Sequence, residues 1–250
     1  MRLEADWLDA APLRAVIDAL GGAAFFVGGC VRNTLLGQPV ADIDITTPVE
    51  PDEVTRRLEA AGLKAVPTGI AHGTVMAVSG GEGFEITTFR ADVATDGRRA
   101  TVRFSTDIAE DAARRDFTMN AVYADTAGEI VDPLGGLADL MARRVRFIGA
   151  ARDRIREDYL RILRFFRFVA WYSQDGIEPE GLTACAELAG GIDGLARERI
   201  GAEMKKLLAA PDPAPAVAAM AASGVLARCL PGADPALLAP LVGLEREAGV

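Results

Sequence analysis

The hydrophobic pattern of this chain changes once along its length, near Gly135. Before that point, short apolar runs alternate with glycine-rich turns, which is typical of strands mixed with short helices. After it, strand patterns fade and apolar residues recur with the spacing of amphipathic helices. The sequence therefore predicts an α+β fold, in which a domain of sheet and helices is followed by an all-α region.

Turn and capping residues delimit the elements of the first part. We predict helices over residues 12–20, 30–36 and 51–61, and strands over 24–27, 42–45, 74–78, 84–89, 122–124 and 130–132. Residues 90–103 are polar and contain Asp96-Gly97, and we interpret them as a long mobile loop. A further helix is expected to begin at Thr106, with Glu110 in the capping position.

Helical periodicity dominates the second part of the chain. We predict helices over residues 152–171, 182–188, 197–209 and 215–222. The segment Pro211-Asp212-Pro213 separates the last two, because proline removes a helical hydrogen-bond donor.

The charge is acidic overall but unevenly distributed. The 250 residues carry a net charge of −9, which argues against a surface that binds nucleic acid broadly. Yet 15 of the 24 arginines lie between Arg90 and Arg167, and from Arg143 to Arg167 nine arginines accompany three acidic residues. This distribution indicates a localised anion site. Residues 149–156, together with Arg143, Arg144 and Arg146, are candidates for contacts with RNA phosphates, or form a basic solvated face.

The N-terminal segment and the cysteines indicate the compartment. Residues 1–10 lack the basic-then-apolar order of a secretory signal, and no apolar run is long enough to span a bilayer. The three cysteines, Cys30, Cys185 and Cys229, are far apart and lack CxxC spacing, which argues against disulfides and zinc sites. We therefore expect a cytoplasmic protein with no membrane partner, and the sequence implies no stable protein partner.

Two aspartates, Asp42 and Asp44, alternate with an apolar residue on a predicted strand. Side chains two residues apart on a strand project to the same face, so the two carboxylates lie side by side. Such a pair suits Mg²⁺, which takes one or two carboxylates together with water and substrate phosphates. The alternative is a surface strand with solvated acids.

A glycine pair, Gly28-Gly29, precedes these aspartates, between a predicted strand and a predicted helix. Such a pair exposes backbone N–H groups at a helix N-terminus, an arrangement that suits a triphosphate. Arg32 lies in the first turn of that helix and is a candidate for holding a phosphate oxygen. Glu85 lies on another predicted strand. It is either a third carboxylate beside the aspartate pair or a glutamate on the solvent-exposed face of the sheet.

Four motifs follow one another in the chain. They are Gly28-Gly29-x-Val31-Arg32 with Asp42-x-Asp44, then Glu85-Ile-Thr-Thr-Phe-Arg90, then Arg114-Arg115-Asp116-Phe117-Thr118-Met119-Asn120-Ala121, and finally Glu157-Asp158-x-x-Arg161-x-x-Arg164-x-x-Arg167-Phe168. Over roughly residues 20–210 the chain resembles the bacterial class II tRNA nucleotidyltransferases (CCA-adding enzymes) and poly(A) polymerases of the polymerase β superfamily. The resemblance implies a polymerase-β-like nucleotidyltransferase head with a mixed sheet, followed by an all-α neck and body.

The resemblance also implies roles for individual residues. Asp42 and Asp44 correspond to the Mg²⁺ ligands, and Glu85 to the third catalytic carboxylate. The residues that correspond to nucleotide contacts are Gly28, Gly29, Arg32, Arg115, Asp158, Arg161, Arg164 and Arg167. Within this set, Asp158 and Arg161 correspond to the pair that reads the incoming base. Asn33 stands where aspartate is usual, a departure that we expect to be tolerated.

The motif that ends in Arg167 has a second interpretation from its spacing alone. Asp158, Arg161, Arg164 and Arg167 recur every three residues, so on one helix they form a slanting stripe. The intervening positions are apolar, which indicates a core-packed helix whose charged stripe faces a cleft or a partner. The alternative is a solvated stripe with one salt bridge.

The implied reaction is template-independent transfer of CMP and AMP from CTP and ATP to the 3′ end of tRNA, with release of pyrophosphate. Carboxylates, backbone amides and arginines suit such a transfer, and the chain offers no convincing nucleophile. His72, the single histidine, is interpreted as a turn residue and receives no role. The open alternatives are a poly(A) polymerase, an enzyme that adds only CC or only A, and a non-catalytic nucleotide- or RNA-binding module.

Relatives in this family usually extend well beyond the length of this chain, so we expect the tail that grips the tRNA elbow to be largely absent. The expected domains are a nucleotidyltransferase head over residues 1–142, a helical neck over 143–210 and the start of a helical body over 211–250.

Overall fold

The computed structural model describes residues 1–69, 73–96 and 99–249. His72 therefore lies outside the described residues. The chain divides into two compact units, the first formed by Met1–Thr95 and Arg99–Met141, the second by the residues from Ala142 onward. In the described ranges, no helix combines the length and the apolar character needed to cross a membrane.

A seven-stranded mixed sheet forms the centre of the first unit, as far as the structure describes it. In spatial order its strands are β3 (Lys64–Gly69), β4 (Thr74–Ser79), β5 (Glu82–Thr88), β2 (Asp44–Thr47), β1 (Phe25–Val27), β8 (Tyr123–Asp125) and β9 (Ile130–Val131). Strands β2 and β5 pair in parallel, whereas the other neighbours pair antiparallel. The sheet thus agrees with the predicted mixed architecture.

Five helices accompany the sheet in the described part of the first unit. They are α1 (Ala11–Ala19), α2 (Gly29–Leu35), α3 (Pro51–Ala60), α4 (Ile108–Ala113) and α5 (Gly136–Met141). Strand β4 alternates buried and partly exposed residues, and its buried face meets α1 and α3. Fully buried Phe26, Ile45 and Ile86 line the central strands. Burial of side chains of this size stabilises the fold by about 1.5–3 kcal/mol each.

Two predictions for the first unit were wrong, and one strand was missed. Residues 90–103 are not a loop but contain β6 (Arg90–Asp96) and β7 (Arg99–Phe104), which pair in a separate two-stranded sheet. The polar composition of this segment concealed the two strands, and residues 97–98 of the predicted loop lie outside the described residues. Helix α4 is capped by Asp107, whose side chain accepts a hydrogen bond from Ala109 N, rather than by Thr106 with Glu110. Strand β3 was not predicted.

The regular elements described in the second unit are helices, which confirms the predicted all-α region. They are α6 (Ala151–Glu157), α7 (Leu160–Tyr172), α8 (Pro179–Glu187), α9 (Arg197–Leu208), α10 (Ala214–Ala222), α11 (Val225–Cys229) and α12 (Leu238–Ala248). Helix α7 packs against α9 and α10. Its apolar positions supply the core, including the fully buried Phe165 and Phe166.

The predicted single helix over residues 152–171 is in fact two helices. Asp158 interrupts it with an extended backbone, at φ −155° and ψ 108°. Its Oδ1 atom accepts a hydrogen bond from Leu160 N at 3.1 Å, at the start of α7. Aspartate favours this local side-chain-to-backbone bond over continued helix, which is the physical reason for the break.

We expect the substitution Gly136→Ala to lower the free energy of unfolding by about 1–3 kcal/mol. A Cβ atom at Gly136 would lie 2.1 Å from the carbonyl oxygen of Thr118, a backbone atom that no side-chain rotation can move away. The control is Gly201→Ala, because Gly201 is helical and has no atom within 4 Å of its Cβ position. The control is expected to be neutral or slightly stabilising. Denaturant unfolding of both variants checks this, and equal effects would contradict it.

Candidate active site

The turn between β1 and α2 brings the glycine pair close to the predicted catalytic strand. Gly28 adopts φ +73°, a conformation that favours glycine, and directly precedes α2. A Cβ atom at Gly28 would lie 3.6 Å from Oδ2 of Asp44. The backbone of the glycine turn therefore passes over one of the two predicted aspartates.

Asp44 and Glu85 are paired across the two parallel strands. Asp44 begins β2, and Glu85 lies opposite it on β5 in the register of the sheet. Directly paired residues on neighbouring strands project to the same side, and both side chains are exposed. Asp42 precedes β2, so the strand begins two residues later than predicted. The structure thus places Glu85, the predicted third carboxylate, beside Asp44.

Charges of both signs act on Asp44. Although this side chain is exposed, partial desolvation by surrounding protein raises its pKa above the ordinary value. The positive charges of Arg115 and Arg32 lower the pKa, whereas the negative charge of Asp42 raises it further. Asp44 therefore lies within electrostatic reach of one acid and two arginines of the predicted set.

The carboxylates fit a hard cation that shares its ligands with a substrate. The donor set consists of carboxylate oxygens, and the repulsion between Asp42 and Asp44 is what a divalent cation relieves. Among the described residues, no group of three or more His, Cys, Asp and Glu side chains is arranged so that it could hold a metal ion. Mg²⁺ needs no such group, because it usually combines one or two carboxylates with water and phosphate oxygens.

Arg32 is held by two asparagine side chains. It is 9% exposed, and its Nη1 atom donates to Oδ1 of Asn120 at 2.5 Å. Its Nε and Nη2 atoms donate to Oδ1 of Asn33 at 3.1 and 3.0 Å. Asn120 in turn donates to Oδ1 of Asp116 at 3.0 Å. Asn33, the departure from the family pattern, therefore contacts Arg32 through an uncharged amide oxygen.

Arg115 follows α4 and is bound on one side by Asp111 and Tyr123. Its guanidinium donates to Oδ2 of Asp111 and to the hydroxyl of Tyr123. Burial would raise the pKa of Asp111, but the charges of Arg115 and Arg114 outweigh burial and hold that pKa below its usual value. Asp111 is thus an ionised, completely buried partner of both arginines.

In the second unit, the predicted base-reading residues each have a separate partner. Oδ2 of Asp158 accepts a hydrogen bond from Nη2 of Arg199 at 2.7 Å. Arg161 forms an ion pair with Glu157 and donates to the backbone oxygen of Arg154 at 2.9 Å. The stripe is therefore interrupted at its first member, because Asp158 lies between α6 and α7.

Arg164 and Arg167 lie one turn apart on α7. Both guanidinium groups lie over the ring of Phe168, with their Cζ atoms 5.7 and 4.8 Å from the ring centroid. Arg167 also forms an ion pair with the buried Glu203, at 2.7 Å. The ion pair between Arg167 and Glu203 thus connects the charged face of α7 to α9.

Several residues that hold the site were not predicted, although two left a signal in the sequence. Asp111 stands four residues before Arg115, and Glu157 four residues before Arg161, which is the spacing of intrahelical ion pairs. The other missed residues, Asn120, Tyr123, Arg199 and Glu203, meet their partners through tertiary contacts that spacing does not reveal.

A cavity of about 390 Å³ in the second unit is lined by three arginines of the predicted RNA-contact stretch. These are Arg143, Arg144 and Arg146. The rest of the lining comes from Ala142, Ser173, Asp175, Gly176, Ile177, Glu178 and Pro179. Arg143 adopts φ +49°, which is uncommon for a residue other than glycine.

Two family models match this chain. Residues 24–146 match the poly(A) polymerase head domain. Residues 176–237 match a model described as the probable RNA- and SrmB-binding site of polymerase A. The first match contains every predicted site residue of the first unit.

Curated relatives of similar sequence are CCA-adding enzymes. The chain is 42% identical over 208 residues to the CCA-adding enzyme of Leuconostoc citreum, a match that covers 82% of this chain and 50% of that protein. It is 45% identical over 184 residues to the human mitochondrial CCA tRNA nucleotidyltransferase 1, covering 72% of this chain and 42% of that protein. The chain thus spans about half the length of the curated relatives it matches.

Solved structures give the same result. The Bacillus stearothermophilus CCA-adding enzyme, solved in complex with CTP, has a TM-score of 0.78 and 36% identity, over 96% of this chain and 57% of that one. A tRNA nucleotidyltransferase solved with a primer tRNA and an ATP analogue has a TM-score of 0.73 and 26% identity, over 92% of this chain and 66% of that one. From the two family models, these relatives and the shared fold, the chain belongs to the class II, polymerase β-type nucleotidyltransferases that include the CCA-adding enzymes and poly(A) polymerases.

Proposed function

We propose that this chain transfers CMP and AMP from CTP and ATP to the 3′ end of tRNA, without a nucleic-acid template and with release of pyrophosphate. The observation that supports this most is the pairing of Asp44 with Glu85 across parallel strands, directly below the Gly28 turn. In this proposal the carboxylates act together with the backbone amides of the glycine turn and with Arg32 and Arg115, whose charges act on Asp44, and nucleotidyl transfer requires such a combination.

The residues of the first unit bind and orient the triphosphate in this proposal. The 3′-hydroxyl oxygen attacks the α-phosphorus, the bond from that phosphorus to the β-phosphate bridge breaks, and pyrophosphate leaves. Arg32 and Arg115 neutralise phosphate oxygens, and N–H groups of Gly28 and Gly29 donate to them. No covalent enzyme intermediate is needed, so no nucleophilic side chain takes part.

Asp42 and Asp44 are the proposed Mg²⁺ ligands, and Glu85 is the proposed third carboxylate. When bound there, Mg²⁺ lowers the pKa of the attacking hydroxyl and stabilises charge on the attacking and leaving oxygens. Of these carboxylates, Asp44 lies next to the Gly28 turn, which would hold the triphosphate in this proposal.

Residues of the second unit read the base in this proposal. Asp158 accepts and Arg161 donates hydrogen bonds, and their present partners, Arg199 and Glu157, supply the same bonds until a base replaces them. Arg164 and Arg167 are proposed as further nucleotide contacts. The assignment of residues 1–142 to a head, 143–210 to a neck and 211–250 to the start of a body is part of the same proposal.

The test is incubation of the chain with Mg²⁺, labelled CTP or ATP, and tRNA that lacks its 3′-terminal CCA. The expected result is extension by C, C and A, established by sequencing the product ends. Extension by A alone, by CC alone or by a long A tract would replace this specificity with one of the other family activities. Nucleotide binding without extension would identify a non-catalytic module.

We further expect RNA binding to depend on the three cavity arginines, Arg143, Arg144 and Arg146. Each arginine that neutralises a phosphate contributes about 0.7–0.9 to the slope of log affinity against log salt concentration. Substituting all three with alanine should therefore weaken binding of an acceptor-stem minihelix and reduce that slope by about 2–3. Titrations at several salt concentrations measure both quantities.

The control for this measurement is Arg56→Ala, which removes an exposed arginine of α3 that pairs with Glu53. This variant is expected to keep the slope of the parent chain. If the triple variant also kept it, the stretch would be a basic solvated face with no RNA contact.

A further inference from the structure

Arg115 is joined to two buried residues by a closed ring of hydrogen bonds. Oδ2 of Asp111 accepts from Nη2 of Arg115 at 3.0 Å and from the hydroxyl of Tyr123 at 2.8 Å. The same hydroxyl accepts from Nε of Arg115 at 3.0 Å. Each of the three side chains therefore contacts the other two.

This ring connects separate parts of the first unit. Asp111 lies on α4, Arg115 follows that helix, and Tyr123 lies on β8, the neighbour of β1 in the sheet. Asp111 and Tyr123 are both 0% exposed, whereas the Arg115 side chain keeps 18% of its surface exposed. The two partners thus hold the arginine from inside the protein and leave part of it accessible from outside.

The proximity of Arg115 to Asp44 connects this ring of hydrogen bonds to the candidate active site. The charge of Arg115 acts on Asp44, the carboxylate below the glycine turn. A free arginine side chain samples many rotamers, and binding a phosphate would require it to lose that freedom. A guanidinium that is already bound at two of its nitrogens has lost much of that freedom before the ligand arrives.

We propose that Asp111 and Tyr123 are positioning residues, which fix the guanidinium of Arg115 in the orientation that binds the triphosphate of the incoming nucleotide. This inference rests on the proposed function of Arg115 as a triphosphate contact. It adds two residues that do not touch the nucleotide themselves but set the affinity for its phosphates.

The principal variant is Tyr123→Phe, because it keeps the buried ring and removes only the hydroxyl. Asp111→Asn is the second variant, and Arg115→Ala is the reference. Tyr172→Phe is the matched control, since it removes a hydroxyl from another buried tyrosine, on α7. Steady-state kinetics with CTP and with ATP on one primer, inhibition by inorganic triphosphate, and thermal unfolding are measured for each full-length variant.

We expect Tyr123→Phe to raise KM for both nucleotides and the inhibition constant of triphosphate by one common factor of about tenfold, with kcat nearly unchanged. A common factor is expected because phosphates are the same in CTP and ATP. In the Arg115→Ala background, Tyr123→Phe should have no further effect, because the group that it positions is gone. Tyr172→Phe should leave all constants unchanged.

The outcomes separate this inference from the proposed function. If Arg115→Ala raises KM but Tyr123→Phe does not, the positioning role is overturned and the role of Arg115 stands. If the effect of Tyr123→Phe persists in the Arg115→Ala background, the hydroxyl acts on another group and the inference fails. If Arg115→Ala itself leaves KM and triphosphate inhibition unchanged, Arg115 is no triphosphate contact. Should Asp111→Asn fail to fold, Tyr123→Phe alone decides.

Discussion

Asp42→Ala and Asp44→Ala are each expected to reduce nucleotide transfer by about a thousandfold or more, while leaving the fold intact. Loss of a metal-binding carboxylate at a reacting phosphate typically costs several kcal/mol of transition-state stabilisation. Asp44 should be the more sensitive of the two, because it is the one paired with Glu85 and covered by the Gly28 turn. Single-turnover incorporation of CMP measures the loss.

The fold should tolerate these substitutions because the two carboxylates repel each other and do not stabilise the folded state. Desolvation and the charge of Asp42 both raise the pKa of Asp44, which means that folding disfavours the ionised form of this side chain. Circular dichroism and thermal unfolding should therefore match the parent chain. Glu82→Gln is a suitable control, since it removes an exposed acid from the same strand, β5, away from the site. Transfer at a near-parental rate by either alanine variant would refute the metal assignment.

Asp158→Ala and Arg161→Ala are expected to narrow the preference for CTP and ATP over UTP and GTP by about a hundredfold. Cytosine and adenine each present an amino donor beside a ring-nitrogen acceptor, whereas uracil and guanine present a carbonyl acceptor beside an N–H donor. A carboxylate only accepts and a guanidinium only donates. The Asp158 and Arg161 pair therefore complements cytosine and adenine. Against uracil and guanine it places acceptor against acceptor and donor against donor.

The measurement is kcat/KM for all four triphosphates on one primer. Asp153→Ala is the matched control, because Asp153 is an exposed acid on α6 whose ion-pair partner is Arg156. This variant should keep the parent chain's preference for CTP and ATP over UTP and GTP. The preference of the two principal variants, rather than their rate, is decisive, because loss of the Arg199 or Glu157 ion pair alone would slow transfer of all four nucleotides alike. An unchanged preference in both variants would mean that the base is read elsewhere.

Periodicity and turn residues predicted the elements around the carboxylates well, because their signals are local. Strand β1, helix α2 and the hairpin of β4 and β5 appear within a few residues of the predicted positions. The placement of Glu85 next to Asp44 was a hypothesis from the sequence, since strand order depends on tertiary pairing that periodicity does not encode. The structure supplies that register.

The errors also have physical causes. The sequence on both sides of Asp158 has helical periodicity. The Asp158 side chain nevertheless accepts a hydrogen bond from the backbone N–H of Leu160, and the helix is interrupted there. In β6 and β7, polar side chains concealed a strand pair that backbone hydrogen bonds stabilise. One further partner of each arginine, Asn120 for Arg32 and Tyr123 for Arg115, comes from β8 or from the 3-10 turn before it, and no spacing rule connects these residues to the arginines.

The parallel pairing of β2 with β5 also affects the stage of folding at which Asp44 and Glu85 come together. The chain between these strands contains α3, β3 and β4, so the contact between Asp44 and Glu85 closes a long loop. Closing such a long connection is slow compared with forming the adjacent hairpin of β4 and β5. We therefore expect the carboxylates to be assembled late, and we expect an opening of the β2–β5 pair in the native protein to separate them even while the neighbouring hairpin stays intact.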